Sequence, residues 1–153
     1  MSGEVYLIDA GENINIKDDN GQTPLHKACI SENQEMVKLL IQKGADLEII
    51  DNDGDTALLI ASLFTDLSIV ENLIDAGANI DAENNDRQTV DYILNNNLEI
   101  DELGRDRILI KLLHLRLQQS YELGGGKKRR KTIKKSKKKK KSKKKKKSKR
   151  KYK

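Results

Sequence analysis

The chain holds one cysteine, Cys29, so no internal disulfide can form, and a reducing compartment is expected. The first residues, MSGEVYLIDAG, carry an acid where a secretory signal would be basic, and their apolar run is too short for one. No stretch reaches transmembrane length: the densest, Ile108 to Leu117, is interrupted by Lys111, His114 and Arg116. The glycine-rich loop that cradles phosphates and the dinucleotide fingerprint are both missing. Tryptophan is absent, and Phe64 and Pro24 are the only residues of their kinds. These absences lead to the expectation of a soluble intracellular chain, in the nucleus or cytoplasm, with no cofactor.

What is there is divided sharply by charge. The formal net charge of +6 averages two opposite regions. From Lys127 onward there are 21 basic residues and no acid, which leaves nine of the 30 basic residues to face all 24 acids in residues 1–126. The balance is −15 for the body and +21 for the tail. A chain of 153 residues allows one modest domain plus that tail.

The body is one unit copied. Thr23, Thr56 and Thr89 recur at 33 residues, as do Gly11, Gly44 and Gly77. LIDAG at Leu7–Gly11 returns as LIQKG at Leu40–Gly44 and LIDAG at Leu73–Gly77, with apolar Ile14, Leu47 and Ile80 three residues after each glycine. A fixed period of this length marks stacked repeats. Thr23 can cap a helix whose first position is Pro24, where a missing N–H costs nothing. Leu25 and Ala28 supply its buried stripe, and Ala28 and Ala61 allow close stacking. Asn33 and Asp66 cap a second helix whose apolar positions Met36, Val37, Leu40 and Ile41 match Ile69, Val70, Leu73 and Ile74. Gly44 and Gly77 suit the left-handed residue that ends it. Ile50-Asp51-Asn52-Asp53-Gly54 turns the chain into the next copy.

Thr23-Pro24-Leu25-His26-Lys27-Ala28, with Gly44-Ala45-Asp46 and Gly77-Ala78-Asn79, resembles the ankyrin repeat. The resemblance covers about Glu4 to Leu94 and implies an all-α ankyrin-repeat solenoid of helix, turn, helix and β-turn, followed by a disordered basic tail. The expected segments are a half-repeat cap with the first β-turn (1–19), repeats at 20–52 and 53–85, a degenerate capping repeat (86–123) and the tail (124–153). The middle copy, Thr56-Ala57-Leu58-Leu59-Ile60-Ala61, lacks proline and histidine, and the third, Thr89-Val90-Asp91-Tyr92-Ile93-Leu94, departs further. After Asn95-Asn96-Asn97 the pattern slips. Matching Leu109–Leu113 to Met36–Leu40 requires about seven extra residues, read as an enlarged loop or an extra helical turn. The final helix, roughly Arg105 to Glu122, is apolar on several faces and so is a candidate contact surface.

The resemblance implies a protein-interaction module without enzymatic activity. Its partners meet the β-turn fingertips, here Asp19, Asn20, Gln22, Asn52, Asp53, Asp55, Asn85, Asp86 and Gln88, and the concave face of the first helices, here Ile30, Ser31, Leu63 and Phe64. Phe64 either faces solvent as an anchor or folds under the next loop. His26 is expected to bond between repeats, as the family histidine does, and Cys29 to face the core. Metal binding by His114 lacks partners at ligand spacing.

After Gly124-Gly125-Gly126 the tail reads KKRRKTIKKSKKKKKSKKKKKSKRKYK, whose like charges and lack of apolar residues predict disorder. Opposite phosphates it would bind tightly and without sequence preference. Lys127, Lys128, Arg129, Arg130 and Lys131 resemble a nuclear import signal. Ser136, Ser142 and Ser148 are candidate phosphorylation sites. Two readings stand: a monomeric scaffold whose repeats bind an unknown protein while the tail localises it to nucleus, nucleic acid or anionic membrane, and a nucleic-acid-associated protein acting mainly through the tail. An ankyrin stack with a lysine tail is similar to those of large DNA viruses or protists, and a viral source would place the chain in a host cell.

Overall fold

The computed structural model describes residues 13–64 and 66–123. The half-repeat expected before residue 13 and the tail of residues 124–153 lie outside the described residues, as do Ser136, Ser142, Ser148 and the basic cluster Lys127 to Lys131. Every regular element among the described residues is helical: α1 (Pro24–Ile30), α2 (Gln34–Gln42), α3 (Ala57–Ser62), α4 (Leu67–Asp75) and α5 (Val90–Asn96). Residues 102–123 are also helical. The chain divides into two compact units between Ile110 and Lys111.

In the first unit, two repeats are pairs of short helices, α1 with α2 and α3 with α4, and all five short helices are started by side-chain caps. Thr23, Thr56 and Thr89 accept from the backbone N–H of the third helical residue of α1, α3 and α5, and Asn33 and Asp66 cap α2 and α4. Each cap satisfies an orphan donor and contributes about 1 kcal/mol, enough to matter in helices of six to nine residues that would not form alone. Pro24 occupies the first turn of α1, yet α3 starts as well behind Thr56 with alanine in that place. The second helices of the two pairs, α2 and α4, end alike: Ala45 N–H reaches Leu40 C=O at 2.9 Å and Ala78 N–H reaches Leu73 C=O at 3.0 Å, around Gly44 and Gly77 at φ +83° and +92°.

Packing follows the caps. Within a repeat α1 meets α2 and α3 meets α4; between repeats α1 packs on α3, α3 on α5 and α2 on α4. Cys29, Val37, Leu40, Leu59, Val70, Leu73 and Leu94 are fully buried along these seams, and Ala28 and Ala61 let the helices approach. The middle helix α3 has neighbours on both sides, and all six of its residues are buried.

The end of the body differs from the sequence alignment. Residues 97–101 form a short connection, and helix begins at residue 102, so the extra residues are absorbed as helix and not as an enlarged loop. Matching Leu109–Leu113 to Met36–Leu40 would bury Ile110 and Leu113, but both are exposed, while Ile108 and Leu112 are fully buried. The longer helix changes the phase of its apolar side. In the second unit the described residues, 111–123, are helical throughout.

Candidate functional site

The loops before α1, α3 and α5 are three copies of one finger, built on a carboxylate or amide at its base. Asp18 Oδ1 accepts the N–H groups of Asn20 and Gln22 at 2.9 and 2.8 Å. Asp51 Oδ1 does the same for Asp53 and Asp55 at 3.0 and 2.9 Å, and Asn84 Oδ1 for Asp86 and Gln88 at 3.1 and 2.9 Å. Two backbone bonds close each finger, for example Asp51 N–H to Asp55 C=O at 3.0 Å and Gly54 N–H to Asp51 C=O at 3.1 Å. The Gln22 and Asn20 N–H groups, with Lys27 at 3.3 Å, hold the Asp18 carboxyl below its ordinary pKa, the Gln22 bond contributing most.

Successive fingers are bonded to one another. Asn52 N–H donates to Asn20 C=O at 3.0 Å, and Asn85 N–H to Asp53 C=O at 3.1 Å. Asn52 Nδ2 donates to Asp19 C=O at 3.0 Å, and Asn85 Nδ2 to Asn52 C=O at 3.1 Å. Asn84 Nδ2 reaches Asp55 Oδ1 at 2.8 Å. The ladder demands glycine where the fingers touch: at Gly21 and Gly54 φ is positive, and a Cβ on Gly54 would lie 2.8 Å from the Asn85 backbone nitrogen. In the last finger the same place holds Arg87 at φ +60°. Among the described residues no further finger stacks on it.

His26 ties the ladder to the helices. Its Nδ1 accepts the Thr23 N–H at 3.1 Å and lies 2.8 Å from Thr23 Oγ1, which leaves Nε2 to donate to Asp55 C=O in the next repeat at 3.1 Å. Burial depresses its pKa, against the raising effect of the Asp55 carbonyl. The sequence's reading of His26 as a bond between repeats holds. Leu59 and Tyr92 occupy its place in the following copies; Leu59 is buried, and Tyr92 is exposed. Cys29 faces the core, and burial pushes its thiol up to about 12, so it stays protonated.

Around this framework the candidate residues separate into two kinds. Asp19, Asn20, Asn52, Asp53, Asn85 and Asp86 are exposed. Gln22, Asp55 and Gln88 are half-buried, and Asp55 is bonded to Asn84. Burial raises the Asp55 pKa, with Asp51, Asp53 and Asp86 adding to the effect and Asn84 opposing it. Ile30 closes α1 and is 40% exposed, its successor Ser31 is exposed, and Leu63 caps α3 at 50% exposed. Phe64 is half-buried, between the two arrangements considered from the sequence. Asn97 Nδ2 donates to Leu63 C=O at 2.9 Å, which fixes the backbone at that exposed leucine. The ladder roles of Asn52 and Asn85 were not apparent from composition; their 33-residue spacing beside Gly54 and Arg87 is the signal that could have shown them.

The arrangement is a fixed edge with acidic tips, flanked by apolar residues at the ends of the first helices. No helix among the described residues is long and apolar enough to cross a membrane. A family model described as ankyrin repeats, in three copies, matches residues 5–84, more than half of the chain. A search of curated proteins found no match.

Proposed function

The chain belongs to the ankyrin-repeat family, and from that premise we propose that it is a protein-interaction scaffold whose finger edge and neighbouring helix ends hold a protein partner. Ankyrin repeats are in general protein-interaction modules. The observation that carries the reading is the row of Ile30 and Leu63, at the same position of successive repeats and left exposed beside fingers already bonded to one another. Rigid elements lose little entropy on binding, and exposed aliphatic groups flanked by charge suit a small interface core with a polar rim. Asp19, Asp53 and Asp86 would form that rim and favour a basic partner surface. The repeats are read as non-catalytic.

The tail is read as the localising part. Its 21 basic residues would hold phosphate-bearing surfaces, and Lys127 to Lys131 would serve import into a nucleus. A chain whose tail alone acts, on nucleic acid, is the second reading, favoured by the absence of any acid after Lys127.

Affinity capture with the full chain, its Ile30→Ser/Leu63→Ser variant and its Asp53→Lys/Asp86→Lys variant tests this. A protein retained by the parent, lost by both variants and insensitive to nuclease supports the scaffold. Identical captures by all three refute the edge, and captures abolished by nuclease favour the second reading.

A further inference from the structure

The second unit, residues 111–153, carries two features that point to one surface. On its helix, Leu113, Leu117 and Tyr121 follow one another four residues apart and are 57%, 49% and 77% exposed. At 3.6 residues per turn they form a stripe about 80° wide. Leu112, on the other side, is fully buried. Past the stripe come three glycines and then the 21 basic residues of the tail, and Glu122 is the sole acid of the unit.

We propose that this unit docks on an anionic phospholipid surface, with the Leu113–Leu117–Tyr121 stripe in the interface plane and the lysines on the headgroup phosphates. The inference rests on reading the tail as a binder of phosphate-bearing surfaces and names which surface it is. Nucleic acid would reward the lysines but offers nothing to a row of exposed leucines. A second copy would cover the leucines but would bring two strongly basic units together, which repel. An anionic bilayer takes both features. Neither suffices alone: a short apolar stripe gives marginal, reversible binding, and two signals together give stable attachment. Tyr121 suits the boundary, with an apolar ring and a polar tip.

The intact chain should co-sediment with vesicles of phosphatidylcholine containing one-third phosphatidylserine, and not with phosphatidylcholine alone. Leu113→Ser/Leu117→Ser should weaken that binding at least about tenfold while leaving affinity for duplex DNA unchanged. Because the chain has no tryptophan, Tyr121→Trp gives a single reporter, whose emission should shift to the blue on the anionic vesicles and not on DNA. The proposal is overturned if the double variant binds vesicles as the parent does, if the Trp emission does not move, or if the parent is a dimer that the double variant dissolves. A parent that binds neither vesicles nor DNA defeats the reading of the tail as well.

Discussion

Alanine at Gly44 and at Gly54 separates the cost of a backbone conformation from the cost of the finger ladder. Both glycines have nearly the same left-handed φ, +83° and +80°. At Gly44 an added Cβ meets nothing within 4 Å, so Gly44→Ala should lose only the conformational penalty of an L-residue there, about 1–2 kcal/mol. At Gly54 the Cβ would lie 2.6 Å from Asn85 Oδ1 and 2.8 Å from Asn85 N. The side-chain oxygen can swing away, but the backbone nitrogen cannot without moving the whole finger. The bonds from Asn85 N–H to Asp53 C=O and from Asn85 Nδ2 to Asn52 C=O would then stretch or break. At about 0.5–1.5 kcal/mol for each bond, Gly54→Ala should lose about 2–5 kcal/mol in all. Urea unfolding followed by circular dichroism at pH 7 measures both variants. Equal losses would mean that the fingers do not stabilise one another, and the argument for a rigid edge would fail.

Leu40→Ala leaves a cavity at a fully buried seam between α2 and its neighbours and should cost about 2–5 kcal/mol; an unchanged melting temperature would reject the repeat register. His26 has a depressed folded pKa, so below its ordinary 6.5 the unfolded chain takes up a proton that the fold resists. Its contribution is full above about pH 6.5 and is lost as the pH falls towards the folded value, because a proton on Nδ1 would face the Thr23 N–H. Urea midpoints at pH 7.5 and 5.5 should therefore differ more in the parent than in His26→Leu. For Asp55 the sign is reversed: its raised folded pKa means that ionised Asp55 destabilises the fold above that pKa and ceases to do so as the pH drops below 3.8. Asp55→Asn should raise the urea midpoint at pH 7, with a smaller gain at pH 4.5; a lower midpoint at pH 7 would show that the carboxylate is needed.

Most of the repeat framework was legible because local chemistry and the 33-residue period agree. Thr23, Thr56 and Thr89 cap where their spacing places them, Gly44 and Gly77 close their helices, and His26 bonds to the next repeat. What the sequence concealed depends on neighbours. Asp55 looks like any exposed turn acid, but the Asn84 amide of the next finger covers it. Asn52 and Asn85 look like turn residues, but their amides join the fingers. The last helix was misaligned because it starts at residue 102 with extra turns, which shifts the buried phase to Ile108 and Leu112. Phe64 could not be placed from composition, since its half-burial depends on how α3 ends.

Native-state hydrogen exchange at the Asn52 and Asn85 amides tests the central claim most directly, that the edge offered to a partner is a bonded ladder and not a set of loose turns. Both residues are exposed, so exposure alone predicts exchange at nearly the free rate. The ladder instead predicts that their N–H groups, bonded to Asn20 and Asp53, exchange as slowly as the helix-closing amides of Ala45 and Ala78. Exchange of Asn52 and Asn85 near the unprotected rate, with Ala45 and Ala78 still protected, would contradict it.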